Sequence, residues 1–350
     1  MQTYPVAHID LAAVRHNLSR VKQLAHDSKV MAVIKANAYG HGDVEVAQAL
    51  QDSDAFAVAR LSEGLRLRRG GITKNIVILE GINNVAQLRV ASENDLSLVF
   101  HNAQQIALLS EAESIKPLSF CWLMVETGMH RLGITQSQLT DALKSLTTSE
   151  KITGEIGLMS HFANADSIND ARNLQQLIQM QQANERQDAP ISMANSAAIM
   201  SLPKSHQQWL RPGIMLYGSS PFEDKSAKEL GLKPVMTLMA QLIAIEQLNV
   251  GDQVGYGGDW KATKPMTVGT VNIGYGDGYQ RQLSNRSKVC IDDQLVDILG
   301  RVSMDMICID LSTITDPKIG DTVTYGGMIY CRSIRSRTIQ IQFLTSCYVK

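Results

Sequence analysis

Long hydrophobic runs are missing from this sequence. The most apolar stretch, Phe120–Val125, falls far short of the roughly 20 residues that span a bilayer, so no membrane segment is expected. An excess of either charge is missing too: 33 basic residues stand against 34 acidic ones, a formal charge of −1. Nucleic-acid binders normally carry a basic surplus on at least one domain, which argues against that class of partner. Cysteine is sparse. The five residues 121, 290, 308, 331 and 347 are odd in number and widely spaced, with no CxxC pair, which fits scattered thiols in a reducing compartment better than a disulfide framework or a zinc cluster. The eight histidines form no HxH, HxxxH or HExxH pair, so no metal site is expected. Residues Met1–Asp10 show no basic segment followed by an apolar one, so a secretory signal is not expected and a cytoplasmic location is. There is no GxGxxG leading into a helix, which leaves dinucleotide binding unsupported.

What is present is a globular composition. Of 350 residues, 44% are hydrophobic and 19% charged, enough for one large core or two ordinary ones. Leu11, Val14, Leu18, Val21 and Leu24 recur at spacings of three and four, which predicts a helix starting near Asp10. Short β-prone runs then follow at Val30–Ile34, Ala55–Ala59, Asn75–Leu79, Leu96–Phe100, Ser119–Val125, Ile156–Met159 and Ile191–Ala194, with an eighth inside Gln207–Tyr217. Helix-length stretches such as Asp43–Gln51 and Asn173–Glu185 separate them. Eight strand–helix units in roughly 230 residues predict an α/β fold of the (β/α)8 barrel type. After Pro234 the pattern changes to β-prone runs broken by Gly and Asp, so residues 234–350 are expected to form a separate mostly-β domain behind a barrel of residues 1–233.

Residues suited to chemistry sit at the predicted strand ends. Lys35 closes the first barrel strand, at the mouth where barrel active sites are built; alone, such a lysine is more often a solvated rim residue, but a partly buried one suits Schiff-base chemistry. Glu126–Arg131 follows the fifth strand, Ser160-His161 the sixth and Asn195-Ser196 the seventh, while Arg211 and Gly213 lie in the eighth unit. Small and polar residues after strands seven and eight are where barrels commonly hold a phosphate. A lysine, an imidazole, two arginines and a phosphate cradle around one mouth suggest pyridoxal phosphate. Three tyrosines, Tyr256, Tyr275 and Tyr279, stand among glycines and are expected at a surface facing a ligand. Arg66, Arg68 and Arg69 read as a solvated helix face.

Together these segments resemble the alanine racemases, pyridoxal-phosphate enzymes of bacteria. The matching stretches are Ala32–Gly42, Thr127–Gly133, Ser160–Ala163, Ala194–Ala197, Arg211–Ile214, Gly255–Gly258, Gly274–Tyr279 and Gly300–Met306, in the family's order, over residues 1 to about 327. The resemblance implies that Lys35 holds the cofactor covalently and serves as one base, and that Tyr256 is the second base on the opposite face of the substrate α-carbon. Tyrosine ionises near pH 10, so Tyr256 needs cationic or hydrogen-bonding neighbours to act near neutrality. Arg211 would meet the pyridine nitrogen; Tyr39, Asn195, Ser196, Gly213 and Ile214 would surround the phosphate; His161 would lie beside the ring. Arg131 and the backbone of Met304 would bind the substrate carboxylate, with Tyr275 at the entrance. A homodimer with sites shared between subunits is implied, acting on alanine and supplying D-alanine for peptidoglycan.

Two departures from the family accompany the match. Where a carbamylated lysine often steadies the arginine equivalent to Arg131, this chain has Met124, with Glu126 where an aspartate is usual. Beyond Gly327 the pattern is only weakly echoed, with Tyr348 the nearest candidate for a C-terminal phosphate-binding tyrosine. Alternative readings are a racemase that also takes serine, a related decarboxylase, and a weakly active or inactive pyridoxal-phosphate-binding paralogue. Arg211 speaks against the decarboxylase, whose chemistry gains from an acidic partner to the pyridine nitrogen.

Overall fold

The chain begins with a strand that its sequence does not announce, β1 (Val6–Ile9), in a computed structural model that describes residues 5–185 and 187–325. Helix α1 (Leu11–Leu24) follows, burying Ala13, Val14, Leu18 and Val21 on one face as the three-four spacing requires. Eight parallel strands then close into a barrel: β2 (Lys29–Val33), β3 (Ala55–Val58), β4 (Asn75–Ile78), β5 (Leu96–Phe100), β6 (Leu118–Met124), β7 (Ile152–Met159), β8 (Ile191–Ser192) and β9 (Trp209–Leu210). Closure runs through Lys29↔Trp209 and Val30↔Leu210. The crossovers are α2 (Asp43–Ala49), α3 (Leu61–Arg69), α4 (Val85–Glu93), α5 (Ala103–Glu111), α6 (Leu139–Thr147), α7 (Ala171–Asn184) and α8 (Ser196–Ser201). Four of them start on Asx caps: the side chains of Asn84, Asn102, Asp170 and Asn195 accept from backbone N–H groups of Gln87, Gln105, Arg172 and Ala198. Each such cap contributes about 1 kcal/mol.

Alternate residues of the barrel strands point inward and fill it. Met31, Val33, Ala55, Ala57, Val77, Val99, Trp122, Met124, Met159 and Trp209 form one buried cluster. Phe120, Trp122 and Trp209 pack edge to face within it, with centroids 5.0 and 6.0 Å apart. Trp122 requires the neighbouring Gly157, since a Cβ there would lie 2.5 Å from its ring. The interior is therefore packed, and polar chemistry is confined to the rims.

The second compact unit takes residues 234–325 and also residues 5–10. The expected assignment of residues 1–233 to the barrel is thus corrected at its start. Val6↔Met239 through Ile9↔Met236 pair β1 antiparallel with β10 (Met236–Leu248), and Asp10 N–H donates to Val235 O at 2.8 Å. A four-residue strand has too few positions to show a period, and its partner lies more than 220 residues away. The remaining strands are β11 (Gln253–Val254), β12 (Trp260–Lys261), β13 (Met266–Val271), β14 (Lys288–Ile291), β15 (Gln294–Leu299), β16 (Ile307–Asp310) and β17 (Thr322–Tyr325), all antiparallel. β17 pairs with both β14 and β10, so the larger sheet curls on itself around Leu242, Val271, Ile298, Ile309 and Val323. Among the described residues no helix is long and apolar enough to cross a membrane.

In the basic cluster on α3, Arg66 and Arg69 are exposed as expected, and Arg68 departs from that role. Arg68 donates to the carbonyls of Ile72, Lys74, Asn94 and Asp95, and Arg66 binds the buried Asp43 carboxylate. These arginines fasten α3 to neighbouring loops.

Candidate active site

Because the barrel strands are parallel, their C-terminal ends share one rim, and the residues just beyond them converge there. Lys35 stands two residues past β2 and opens an unusual turn. Ala36, Asn37, Ala38 and Tyr39 all take left-handed backbone angles, φ 53, 55, 52 and 56°. Left-handed helix costs an L-residue about 1–2 kcal/mol, so four in succession need tertiary support. Ala36 N–H donates to the Glu63 carboxylate at 2.6 Å, Ala38 N–H to Ile34 O at 2.9 Å, and Asp43 N–H to Asn37 Oδ1 at 3.1 Å. The Tyr39 ring stacks on buried Tyr217 at 4.7 Å, and Tyr217 Oη donates to Val33 O at 2.9 Å. Burial holds the Lys35 amine below its ordinary pKa, helped by the Arg131 charge; Glu63 and Glu80 oppose this, and Arg211 adds to it. A lysine whose proton is held less tightly in this way is a better nucleophile than a free one.

Across the rim, Arg211 is buried with no carboxylate partner among the described residues. Its Nη1 donates to Ser192 Oγ at 2.7 Å, and its Nη2 to Ser160 O and to His161 Nδ1 at 3.1 Å. Burial and then the Arg131 charge push it down to about 9, so it remains cationic at neutral pH. Since Arg211 donates to Nδ1, the His161 proton sits on Nε2. Burial, then Arg211, Arg131 and Lys35, push the imidazole down to about 3, and the ring is neutral. A desolvated guanidinium without a counter-charge suits an acceptor that must stay unprotonated, such as a pyridine nitrogen.

The loop after β6 carries Arg131 and is closed by Ile134 N–H to Met124 O at 2.8 Å and Glu126 N–H to Ile134 O at 3.0 Å. Burial raises the Glu126 pKa, but backbone N–H groups of Gly128, His130 and Met129, together with the His130 charge, outweigh it and hold the carboxyl low. Glu126 is therefore spent on folding its own loop. Arg131 is exposed and makes no hydrogen bond or ion pair among the described residues, while Met124 is buried in the barrel cluster. Beneath the loop lies a buried network that sequence reading missed. Thr127 Oγ1 and Ser160 Oγ meet at 2.7 Å, and Gln176 Nε2 donates to Thr127 Oγ1 at 3.2 Å and His161 O at 2.9 Å. Gln176 thereby joins the loops that carry Arg131 and His161. Its only sequence signal is a glutamine among the residues of α7 at core spacing, beside Asn173, Leu177 and Met180.

Beyond β8 and β9, Ser196 Oγ accepts from Gly213 N–H at 2.9 Å and Met215 N–H at 3.3 Å. Tyr39 Oη approaches so closely that a Cβ on Gly213 would lie 2.7 Å from it. Asn195 serves as the cap of α8 through Ala198 N–H at 3.1 Å. Ile214 N–H has no acceptor among the described residues. Two hydroxyls and a free amide thus gather where glycine leaves room.

In the second unit, Tyr256, Tyr275 and Met304 are exposed, at 67, 45 and 57%. The Tyr275 turn is stitched to the Met304 loop by Tyr275 N–H to Ser303 O at 3.0 Å and Gly276 N–H to Met304 O at 2.8 Å. Arg301, paired with Asp259, lies against Gly257 beside Tyr256. Tyr279 differs from expectation: it is buried, edge-on to Tyr325 at 5.3 Å, and belongs to the core. Its spacing in the glycine-rich segment resembles that of Tyr275, and only packing separates the two. Tyr348 and the tail lie outside the described residues.

Comparison with known proteins agrees with this architecture. Residues 9–221 match the family domain described as alanine racemase, N-terminal domain, and residues 235–348 the alanine racemase C-terminal domain. The alanine racemase of Nitrosococcus oceani is 45% identical over 93% of this chain and 90% of its own. The biosynthetic alanine racemase of Escherichia coli K12 is 43% identical over 91% and 89%. Among solved structures, biosynthetic alanine racemase from Pseudomonas aeruginosa superposes with a TM-score of 0.88 at 42% identity, over 93% of this chain and 91% of that one. The Bartonella henselae alanine racemase, solved with covalently bound pyridoxal phosphate, gives 0.83 at 28% identity, over 93% and 91%. Barrel, rim and matches together define a pyridoxal-phosphate-dependent isomerase of the barrel-plus-β type. The chain belongs to the alanine racemase family.

Proposed function

We propose that the protein interconverts L- and D-alanine with pyridoxal phosphate held on Lys35, in the cytoplasm, supplying D-alanine for peptidoglycan. The observation that carries this reading is the pairing on one rim of a part-buried lysine with a buried, carboxylate-free Arg211. The residues fit the cofactor: Lys35 offers an amine that holds its proton less tightly than a free lysine, Arg211 a donor that does not give up its proton, and Tyr39, Ser196, Gly213 and Ile214 a cradle that a Cβ at 213 would fill. Asn195 shapes that cradle as the cap of α8. When bound, pyridoxal phosphate draws electron density from the substrate α-carbon and makes its proton removable.

The protein's own groups do the rest. Lys35 Nζ takes or returns the α-proton on one face, and Tyr256 of the partner subunit does so on the other, within a homodimer. Two opposed bases suffice for inversion. Arg211, cationic and desolvated, keeps a nitrogen acceptor unprotonated, which limits charge delocalisation and favours reprotonation over side reactions. His161, neutral, would lie beside the cofactor ring without competing for protons. Arg131 and the backbone of Met304 of the partner subunit take the substrate carboxylate, and Tyr275 lines the entry.

The test is D-alanine formation from L-alanine together with borohydride fixation of the cofactor. The expected result is turnover with label on Lys35, and loss of both in Lys35→Ala. Label elsewhere, or a loaded protein without turnover, would overturn the reading.

A further inference from the structure

We propose that Glu63 is a positioning residue, clamping the left-handed turn that carries Lys35 and supplying the counter-charge that governs how its amine is presented. The proposal rests on the reading of Lys35 given above.

One carboxylate here serves two segments. Glu63 Oε2 accepts from Ala59 N–H at 2.8 Å and Arg60 N–H at 3.0 Å, the ordinary task of a glutamate at the third position of α3. Oε1 leaves the helix altogether and accepts from Ala36 N–H at 2.6 Å. A helix cap has no need of that second bond. Ala36 is the residue next to Lys35 and the first of the four left-handed residues, exposed and without a buried side chain to fasten it. Asn37, Ala38 and Tyr39 have anchors of their own in Asp43 N–H, Ile34 O and the Tyr217 ring. Ala36 has Glu63.

The charge matters as well as the bond. The titratable groups acting on Lys35 are Arg131 and Arg211, both cationic, and Glu63 and Glu80, both anionic; His161, which feels both guanidiniums and Lys35, is neutral. Glu80 is shared with Arg60 at 3.6 Å on an exposed surface, which weakens its hold on the amine. Glu63 is the counter-charge built into the turn itself. Removing it leaves Lys35 facing two guanidiniums, with its amine unprotonated to lower pH.

The test uses the full chain. In protein freed of cofactor, reductive methylation of Lys35 is followed by mass spectrometry across pH, with exposed Lys264 as internal control. Glu63→Gln keeps the length and removes the charge: Lys35 should be methylated severalfold faster at a fixed pH below its midpoint, with Lys264 unchanged. Glu63→Asp keeps the charge but is too short to reach both segments; it should leave the methylation profile in place while kcat of the loaded enzyme falls about ten- to a hundredfold through misplacement of the amine. An unchanged Lys35 profile in Glu63→Gln, with only a lowered Tm, would make Glu63 a helix cap and nothing more. Unchanged kcat in Glu63→Asp would overturn the clamp even if the glutamine variant fails to fold. Borohydride mapping of the wild type separates the two readings, since label absent from Lys35 overturns the cofactor assignment and not the turn's anchoring.

Discussion

At Arg131 the chain leaves a cation at the rim with no partner among the described residues, and the nearby Met124 points into the apolar barrel. An unheld arginine loses more side-chain freedom when it captures a carboxylate. Met124→Lys, with its amine converted by carbon dioxide to the carbamate anion that the family resemblance implies at this position, should therefore lower KM for alanine with kcat little changed, and lower Tm because a polar group enters the cluster around Trp122 and Met159. An unchanged KM would show that Arg131 needs no support. His161 makes a second case at this scale. Its folded pKa, about 3, lies below the roughly 6.5 of a free imidazole, so between those values the unfolded chain binds a proton that the folded chain refuses. Stability from this residue is complete above about pH 6.5 and is lost as pH falls toward 3. Urea unfolding at pH 7 and 4.5 should show a smaller loss for His161→Gln than for wild type; equal losses would locate the acid sensitivity elsewhere.

Among the elements, the left-handed turn reverses a familiar sign. In a right-handed helix Ala→Gly costs about 1 kcal/mol, but at exposed Ala36, with φ 53°, glycine removes a left-handed penalty of about 1–2 kcal/mol at the cost of extra chain entropy. Ala36→Gly should leave stability unchanged or raise it by up to about 1 kcal/mol, measured by denaturant titration; a loss of 1 kcal/mol or more would contradict the geometry. This turn was hidden in the sequence, since Lys-Ala-Asn-Ala-Tyr carries good right-handed helix formers and only Gly40 and Gly42 hint at anything else. The barrel strands were legible because strands buried on both faces read as continuous apolar runs. Most of their ends shifted by a residue or two, β7 began four residues earlier than expected, and β8 and β9 shrank to two residues each, because the last ladder bonds depend on neighbours and not on the run itself.

For the molecule as a whole, the exposed Tyr256, Tyr275 and Met304 make the proposed dimer a question of complementation. Lys35→Ala and Tyr256→Phe should each be inactive alone. If sites are shared between subunits, random mixing makes half the dimers hybrid, each with one intact site, and restores about a quarter of wild-type activity. No recovery after subunit exchange would mean that each chain completes its own site.

Much of this protein follows from local order in its sequence. Strand–helix alternation implies the barrel, parallel strands put their C-terminal residues on one rim, and so Lys35, His161 and Arg211 share a mouth, while Arg131 depends on the fold of the loop after β6. Long-range packing settles the remainder. β1 finds a partner more than 220 residues away, Tyr279 is core while Tyr275 is surface, and Arg68 grips carbonyls from two loops. Burial and charge at each site are sums over neighbours distant in sequence. The lowered pKa of Lys35 and the neutrality of His161 therefore belong to the folded rim, where desolvation and nearby guanidiniums act together.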